Sequence, residues 1–208
     1  MVAVALVSVI GALVTSEARA VDPFSRISAT SKAVRDQSYF KGPNKPVETV
    51  SWDDCQEFLA KLGARFAAGK GRFALPTEAQ WECACRAGSS SRYSFGEDGR
   101  SLGDYACYRD NSGGSTHPVG RKKPNAWGLY DMHGNVWEWC QDWYYEDFYV
   151  RWPTSDPKGG AIGSRRVARG GAWYSRAEHC RSASRGDFVS GLRLCYLGLR
   201  VGLIPAEK

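Results

Sequence analysis

The stretch NAWGLYDMHGNVWEWCQDW, residues Asn125–Trp143, decides how this chain folds. It keeps neither a helical nor a strand period. Pro124-Asn125, Gly128 and His133-Gly134-Asn135 are turn signals, and bulky aromatics stand between them. So irregular a segment must still find partners for its main-chain groups, and the residues offer two ways. Trp137 and Trp139 alternate about the chain and suit dense packing. Asn135 and Glu138, three residues apart beyond the tight turn at Gly134, present hard oxygen donors of the kind calcium takes. Hydrogen bonding of Asn135 and Glu138 to loop main chain is the competing reading. His117 and His133 have no acidic cluster beside them and read as turn and packing residues.

Working outward, regular structure collects at the two ends. Upstream, SWDDCQEFLAKLGARF predicts a helix at about 51–66: Ser51 caps, Asp53 and Asp54 favour its N-terminus, and Cys55, Phe58, Leu59 and Leu62 share one face. In RFALPTEAQWECACRAG, Phe73 and Leu75 close a short strand, Thr77 caps, and Glu78 to Arg86 form a second helix ended by Gly88. Residues 89–160 are a succession of turns. Downstream come short strand-like pieces, RRVARGGAWY, CRSASR and LGLRVGL.

Composition sets the outer limits. At 208 residues, 43% hydrophobic and 24% charged, the chain is globular and of one-domain size, not disordered or coiled-coil. Its 23 Gly and 8 Trp suit a loop-rich fold held by aromatic packing. The net charge of +6 lies in residues 161–208, but those arginines are interspersed with Gly, Ser and aliphatics, so no nucleic-acid partner is expected. Seven cysteines show no zinc-like spacing, and an odd count does not make a complete disulfide framework. Cys83 and Cys85 fall on different helix faces. Val2 to Val14 is apolar, and Ala18-Arg19-Ala20 has the form of a secretory cleavage site, so residues 1–20 read as a signal peptide and the protein as secreted or cell-surface. A buried strand is the alternative, since a basic n-region is missing. No membrane span is expected. Residues 21–44 read as a connector or remodelled N-terminus.

LPTEAQWE, NAWGLYDMHGNVWEWCQDW, RVARGGAW, CRSASR and LGLRVGL, in this order over residues 45–204, closely resemble the formylglycine-generating enzyme (sulfatase-modifying factor) family. The resemblance implies an α+β, C-type-lectin-like fold of two helices, a small twisted antiparallel sheet and extensive loops. It also implies structural calcium at Asn135 and Glu138. The family's enzymes oxidise a substrate cysteine to formylglycine with copper held by two cysteines just after a Gly-Gly-Ser motif. Here Ala172 replaces that serine, Cys180 has no second cysteine five positions away, and Cys195 lies fifteen residues on. Thiolate pairs suit Cu(I), so copper is not expected unless Cys195 folds back onto Cys180.

The C-terminus is more similar to the variable proteins of diversity-generating retroelements, which share this fold. Trp173, Ala177-Glu178, Cys180-Arg181-Ser182-Ala183, Arg185 and Leu197-Gly198-Leu199-Arg200 keep their spacing around a variable tract. In such systems adenine-directed mutagenesis rewrites Asn codons, which cannot yield Met, Trp, Lys, Gln or Glu, and none of the five occurs from Gly186 to Tyr196.

These readings predict a non-catalytic protein whose variable C-terminal region, 173–196, binds a ligand, with protein as the expected partner. The contact set is Trp173, Tyr174, Ser175, Arg176, His179, Ser184, Gly186, Asp187, Phe188, Val189, Ser190, Leu192, Leu194, Cys195 and Tyr196. Arg181, Ala183, Arg185 and Arg200 would be scaffold. Tyr174, Phe188, Leu192, Leu194 and Tyr196 are expected to face water, against the alternative of a buried strand face at period two. A formylglycine-generating oxidase is the alternative function.

Overall fold

The computed structural model describes residues 5–7, 36–66, 71–151, 157, 159–160 and 162–205. Strand β1 (Ala5–Val7) is followed by helix α1 (Trp52–Phe66), strand β2 (Gly71–Ala74) and helix α2 (Glu78–Arg86). One-turn helix α3 (Leu102–Tyr105), strand β3 (Trp137–Trp143) and one-turn helix α4 (Phe148–Arg151) come next. Strands β4 (Arg166–Arg169), β5 (Arg185–Phe188), β6 (Leu197–Leu199) and β7 (Val201–Pro205) complete the described chain. They form two sheets, ordered β1-β7-β2 and β5-β4-β3-β6.

The expected α+β fold is present, with differences that have local causes. Thr77 closes a capping box with Gln80, so α2 starts where the sequence places it. It ends at Arg86 as expected, but the left-handed cap is Ala87, at φ 48°, one residue before Gly88. Helices α3 and α4 were not expected, being single turns too short for a 3.6-residue period to show. The larger sheet is not wholly antiparallel: β6 runs parallel to β3, pairing Trp137, Glu138 and Trp139 with Leu197, Gly198 and Leu199. Residues 189–196 form turns and no strand, so the period-two alternation of Leu192, Leu194 and Tyr196 does not describe a sheet face.

Ala5–Val7, inside the apolar run assigned to a signal peptide, pairs antiparallel with Val201–Leu203. The cleavage-like residues 18–20, and positions 21–35 of the expected connector, lie outside the described residues. Among the described residues no helix is long and apolar enough to cross a membrane.

Three buried clusters surround β3. Cys55, Leu59 and Leu62 of α1 meet Trp137, Trp139, Leu197 and Val201. On the opposite side Trp81 and Cys85 of α2 pack with Met132, Cys140 and Val167. Tyr93, Leu102, Ala106 and Cys180 form the third, beneath the turns after α2. Cys83 is exposed where Cys85 is buried, as their two-residue offset on a helix requires.

Four of the eight arginines in residues 161–208 are buried or half-buried. Arg169, with no exposed surface, pairs with Glu78 and Glu82. Arg185 grips Glu78 through Nε and Nη2 at 2.7 and 2.9 Å. Arg200 grips Glu138 through Nη2 and Nε at 2.7 and 2.8 Å. Arg166 lies between the Trp52 and Trp143 rings, 3.7 and 3.4 Å from their centroids. Part of the basic excess of the last quarter, Arg169, Arg185 and Arg200, therefore neutralises buried carboxylates, while Arg165, Arg176, Arg181 and Arg193 are exposed.

Candidate ligand-binding face

The turn at His133-Gly134-Asn135 is the foundation of the face. Asn135 is buried and left-handed at φ 65°, a conformation asparagine tolerates. Its Oδ1 accepts from the His117 N–H at 3.0 Å and its Nδ2 donates to the His117 carbonyl at 3.1 Å. Its own carbonyl accepts from the Trp173 N–H at 2.9 Å, which fixes where residues 173–196 begin.

The main chain of residues 186–196 is held by main-chain groups elsewhere in the fold and by the Trp173 indole. The Ser190 carbonyl accepts from the Trp52 N–H at 2.9 Å, and the Leu194 carbonyl from the Thr49 N–H at 3.1 Å. The Trp173 indole Nε1 donates to the Cys195 carbonyl at 3.2 Å. The Tyr196 carbonyl accepts from the Trp137 N–H at 2.8 Å. Strand β5 pairs residue by residue with β4. Two tight turns, Val189 to Leu192 and Leu194 to Leu197, shape the loop between these anchors. No side chain of residues 189–196 takes part in these bonds, although Arg193, Leu194 and Tyr196 add side-chain anchors of their own.

The predicted contact residues divide by depth. Tyr174, Val189 and Leu192 are exposed at 41%, 47% and 39%, and Arg176 and His179 are exposed too. Trp173, Gly186, Asp187, Phe188, Ser190, Leu194, Cys195 and Tyr196 are half-buried. Phe188, Leu194 and Tyr196, expected in the open, pack against the cluster around Trp137 and Trp139. The Phe188 ring stands 5.9 Å from Trp139 and the Tyr196 ring 4.5 Å from Tyr174. Burial and the neighbouring Tyr196 push the Tyr174 phenol up.

Ser175 and Ser184 correct the expectation outright, for both are buried. Ser175 Oγ accepts from the Ala172 N–H at 2.9 Å, and Ser184 Oγ donates to the Glu178 carbonyl at 2.8 Å. They close turns and are not contacts. Asp187 is half committed to an ion pair with Arg165. Conversely Arg181, Ala183, Gly191 and Arg193 are exposed although the sequence reading assigned the first two to the scaffold. Arg193 is anchored, its Nε and Nη2 reaching Asp54 at 2.7 and 2.8 Å. That bond holds the Asp54 carboxyl down at about 2.

Asn135 and Glu138, as arranged, do not fit a calcium ion. Both side-chain atoms of Asn135 are committed to His117. The Glu138 charge is matched by buried Arg200, and its Oε2 also accepts from the Trp81 indole at 2.6 Å. A pocket lined by Asp131, Glu138 and Arg200 adjoins them, with Arg200 Nη1 buried and without a hydrogen-bond partner there. A guanidinium in that position disfavours a dication.

The cysteines sit in different surroundings. Cys180 is buried among Tyr93, Leu102 and Ala106, and burial pushes its thiol up to about 12. Cys195 is half-buried beside Trp173, with Glu48 close enough to raise its thiol further. No group of three or more His, Cys, Asp or Glu side chains able to hold a metal occurs among the described residues.

Known proteins place this arrangement. The chain is 36% identical over 168 residues to the formylglycine-generating enzyme of Streptomyces coelicolor, covering 72% of this chain and 51% of that one. It is 34% identical to the enzyme of Thermomonospora curvata, covering 78% and 57%. It therefore spans about half the length of these curated relatives. Among solved structures, Treponema denticola variable protein 1 superposes with a TM-score of 0.74 at 32% identity, covering 82% of this chain and 78% of that one. PvdO from Pseudomonas aeruginosa gives a TM-score of 0.71 at 29% identity, covering 80% and 64%. The model of the sulfatase-modifying factor enzyme 1-like domain matches residues 16–203. A chain matched over nearly its whole length, with this fold and these relatives, belongs to the sulfatase-modifying factor family.

Proposed function

We propose that this protein is a non-catalytic binding protein of the retroelement-diversified kind, displaying residues 173–196 to a protein ligand on the lectin-like scaffold. One observation carries the reading: the loop Val189–Tyr196 is tied down by the main chain of Thr49, Trp52 and Trp137 and by the Trp173 indole, none of which lies in the loop. A frame of this kind keeps its shape while exposed side chains change, which is the physical requirement for a rewritable surface. The contact set narrows to Tyr174, Arg176, His179, Val189 and Leu192, with Tyr196 and Phe188 as the half-buried floor. Secretion or surface attachment suits such a role, and N-terminal sequencing of the mature protein tests it.

Sequencing the locus tests the function. A template repeat matching the DNA of residues 169–201 except at adenines, beside a reverse transcriptase, is expected. A locus without any template copy overturns the proposal.

The identities to formylglycine-generating enzymes favour a second reading, a cysteine-oxidising activity. It requires copper uptake that Cys180→Ser abolishes. Purified protein that takes up no copper removes it.

A further inference from the structure

We propose that the binding face extends beyond the variable tract onto a fixed aromatic ridge ending at Tyr39, and that this ridge receives an acidic protein segment bearing an aromatic or aliphatic side chain. The inference rests on the function proposed above and adds to it an anchor outside residues 173–196.

The ridge is continuous. Tyr39, 73% exposed, meets Phe40 edge-on at 4.9 Å between ring centroids. Phe40 meets Trp173 edge-on at 5.6 Å, and Trp173 meets Tyr174 at 5.5 Å. A largely exposed tyrosine therefore leads directly to Trp173 and Tyr174. Its base is rigid. The Phe40 N–H donates to buried Glu48 Oε1 at 2.7 Å, and Ser38 Oγ accepts from the Glu48 N–H at 3.2 Å. Tyrosine on a fixed base offers large contact area at small entropic cost, the property that concentrates binding energy in aromatic anchors.

Charge selects the partner. Arg166, Arg169, Arg185 and Arg200 are committed to carboxylates or rings inside the protein, but Lys45 on the ridge and Arg176, two residues after Tyr174, are not buried. The Lys45 ammonium stands 5.2 Å over the Phe40 ring. Arg176, two-thirds exposed, approaches Glu178 only at 3.9 Å. A cation on an aromatic face, with a second near Tyr174, complements a segment that carries carboxylates next to an apolar side chain.

The test is selection of binders from a phage-displayed random 12-residue peptide library on the full chain, followed by titration of the selected peptides against Tyr39→Ala, Lys45→Glu and Tyr174→Ala. Acidic peptides with an aromatic or aliphatic residue are expected, losing about tenfold in affinity with Tyr39→Ala, as for an interface anchor. Lys45→Glu is expected to weaken them as well. Peptides without an acidic bias, or affinity untouched by Tyr39→Ala, overturn the anchor. If Tyr174→Ala alone abolishes binding, the variable face stands and the ridge fails. If neither substitution matters, both readings fall. Unchanged melting of Tyr39→Ala, whose side chain lies largely in solvent, separates lost contact from lost fold.

Discussion

The Trp173 indole N–H donates to the carbonyl of Cys195, 22 residues further along, at 3.2 Å. One side chain at the head of residues 173–196 thereby holds the main chain near their tail. The Trp173 N–H is itself fixed on the Asn135 carbonyl, so the turn in Gly134-Asn135 reaches the loop through a single residue.

Stability should therefore be indifferent to the exposed loop side chains and sensitive to Trp173. Val189→Asn and Leu192→Ser are expected to shift the unfolding free energy by no more than about 0.5 kcal/mol, the range for surface substitutions. Trp173→Ala removes the bond to Cys195 and the contacts with Phe40 and Tyr174, and is expected to cost about 2–4 kcal/mol. Urea denaturation of the three variants measures this. A large loss in Leu192→Ser would show that the loop's side chains hold the fold.

Arg200 and Glu138 form a buried pair, 3% and 7% exposed at the side chain. Removing one partner leaves the other charge unmatched inside the protein. Arg200→Met is expected to lose about 3–5 kcal/mol, and the double variant Arg200→Met, Glu138→Gln to recover part of it. Because the guanidinium already supplies the positive charge, adding calcium or a chelator should leave the wild-type melting midpoint where it is. A midpoint that rises with calcium would overturn that reading.

How much of this was legible in the sequence depends on the range of the interaction. Helix α1 announced itself through Cys55, Leu59 and Leu62 at helical spacing, and α2 through the Thr77 capping box, because both signals are local. The parallel pairing of β6 with β3 was invisible, since nothing within Leu197–Leu199 records which strand it joins. Leu194 and Tyr196 misled for the same reason: each is apolar in an exposed-looking loop, and only the neighbouring Trp137 and Trp139 reveal the floor they cover. Ser175 and Ser184 fell inside a variable-looking tract, yet their hydroxyls close turns that only coordinates disclose. The arginines illustrate the converse. In the sequence Arg169, Arg185 and Arg200 are interspersed basic residues like the rest, and only the structure matches them with Glu78, Glu82 and Glu138 from distant segments.

Two buried groups give opposing pH dependences. Burial holds His133 neutral, down at about 4 from 6.5, while its Nδ1 faces the Cys180 carbonyl at 2.8 Å. Between pH 4 and 6.5 the unfolded chain binds a proton there that the folded chain does not, so this histidine makes stability rise with pH. Burial, with Glu78 beside it, pushes the Asp142 carboxyl up to about 7 from 3.8. There the folded chain holds the extra proton, so Asp142 makes stability fall as pH rises from about 4 to 7. The two slopes, each about 1.4 kcal/mol per pH unit at full effect, oppose each other over pH 4.5–6.5. Asp142→Asn, whose amide oxygen can still accept the Glu78 N–H, is expected to unmask the rising histidine slope. Chemical denaturation at pH 4.5 and 6.5 checks it: equal slopes in variant and wild type would sink the assignment.

Thiol reactivity decides between display and oxidation. A cysteine that takes part in copper chemistry must be reached by metal and substrate as a thiolate. Cys180 has no exposed surface, and Gly171 packs so closely on it that a side chain there would collide with its Sγ. Cys55, Cys85, Cys107 and Cys140 are buried as well, while Cys83 is exposed and Cys195 half-buried. Titration of the native protein with an aromatic disulfide reagent at pH 8 is expected to label Cys83 first and Cys195 more slowly. The other five should react only after unfolding. Mass mapping of the labelled peptides reads the order directly. Rapid native labelling of Cys180 would mean that its pocket opens, and would return the weight of the argument to the oxidase.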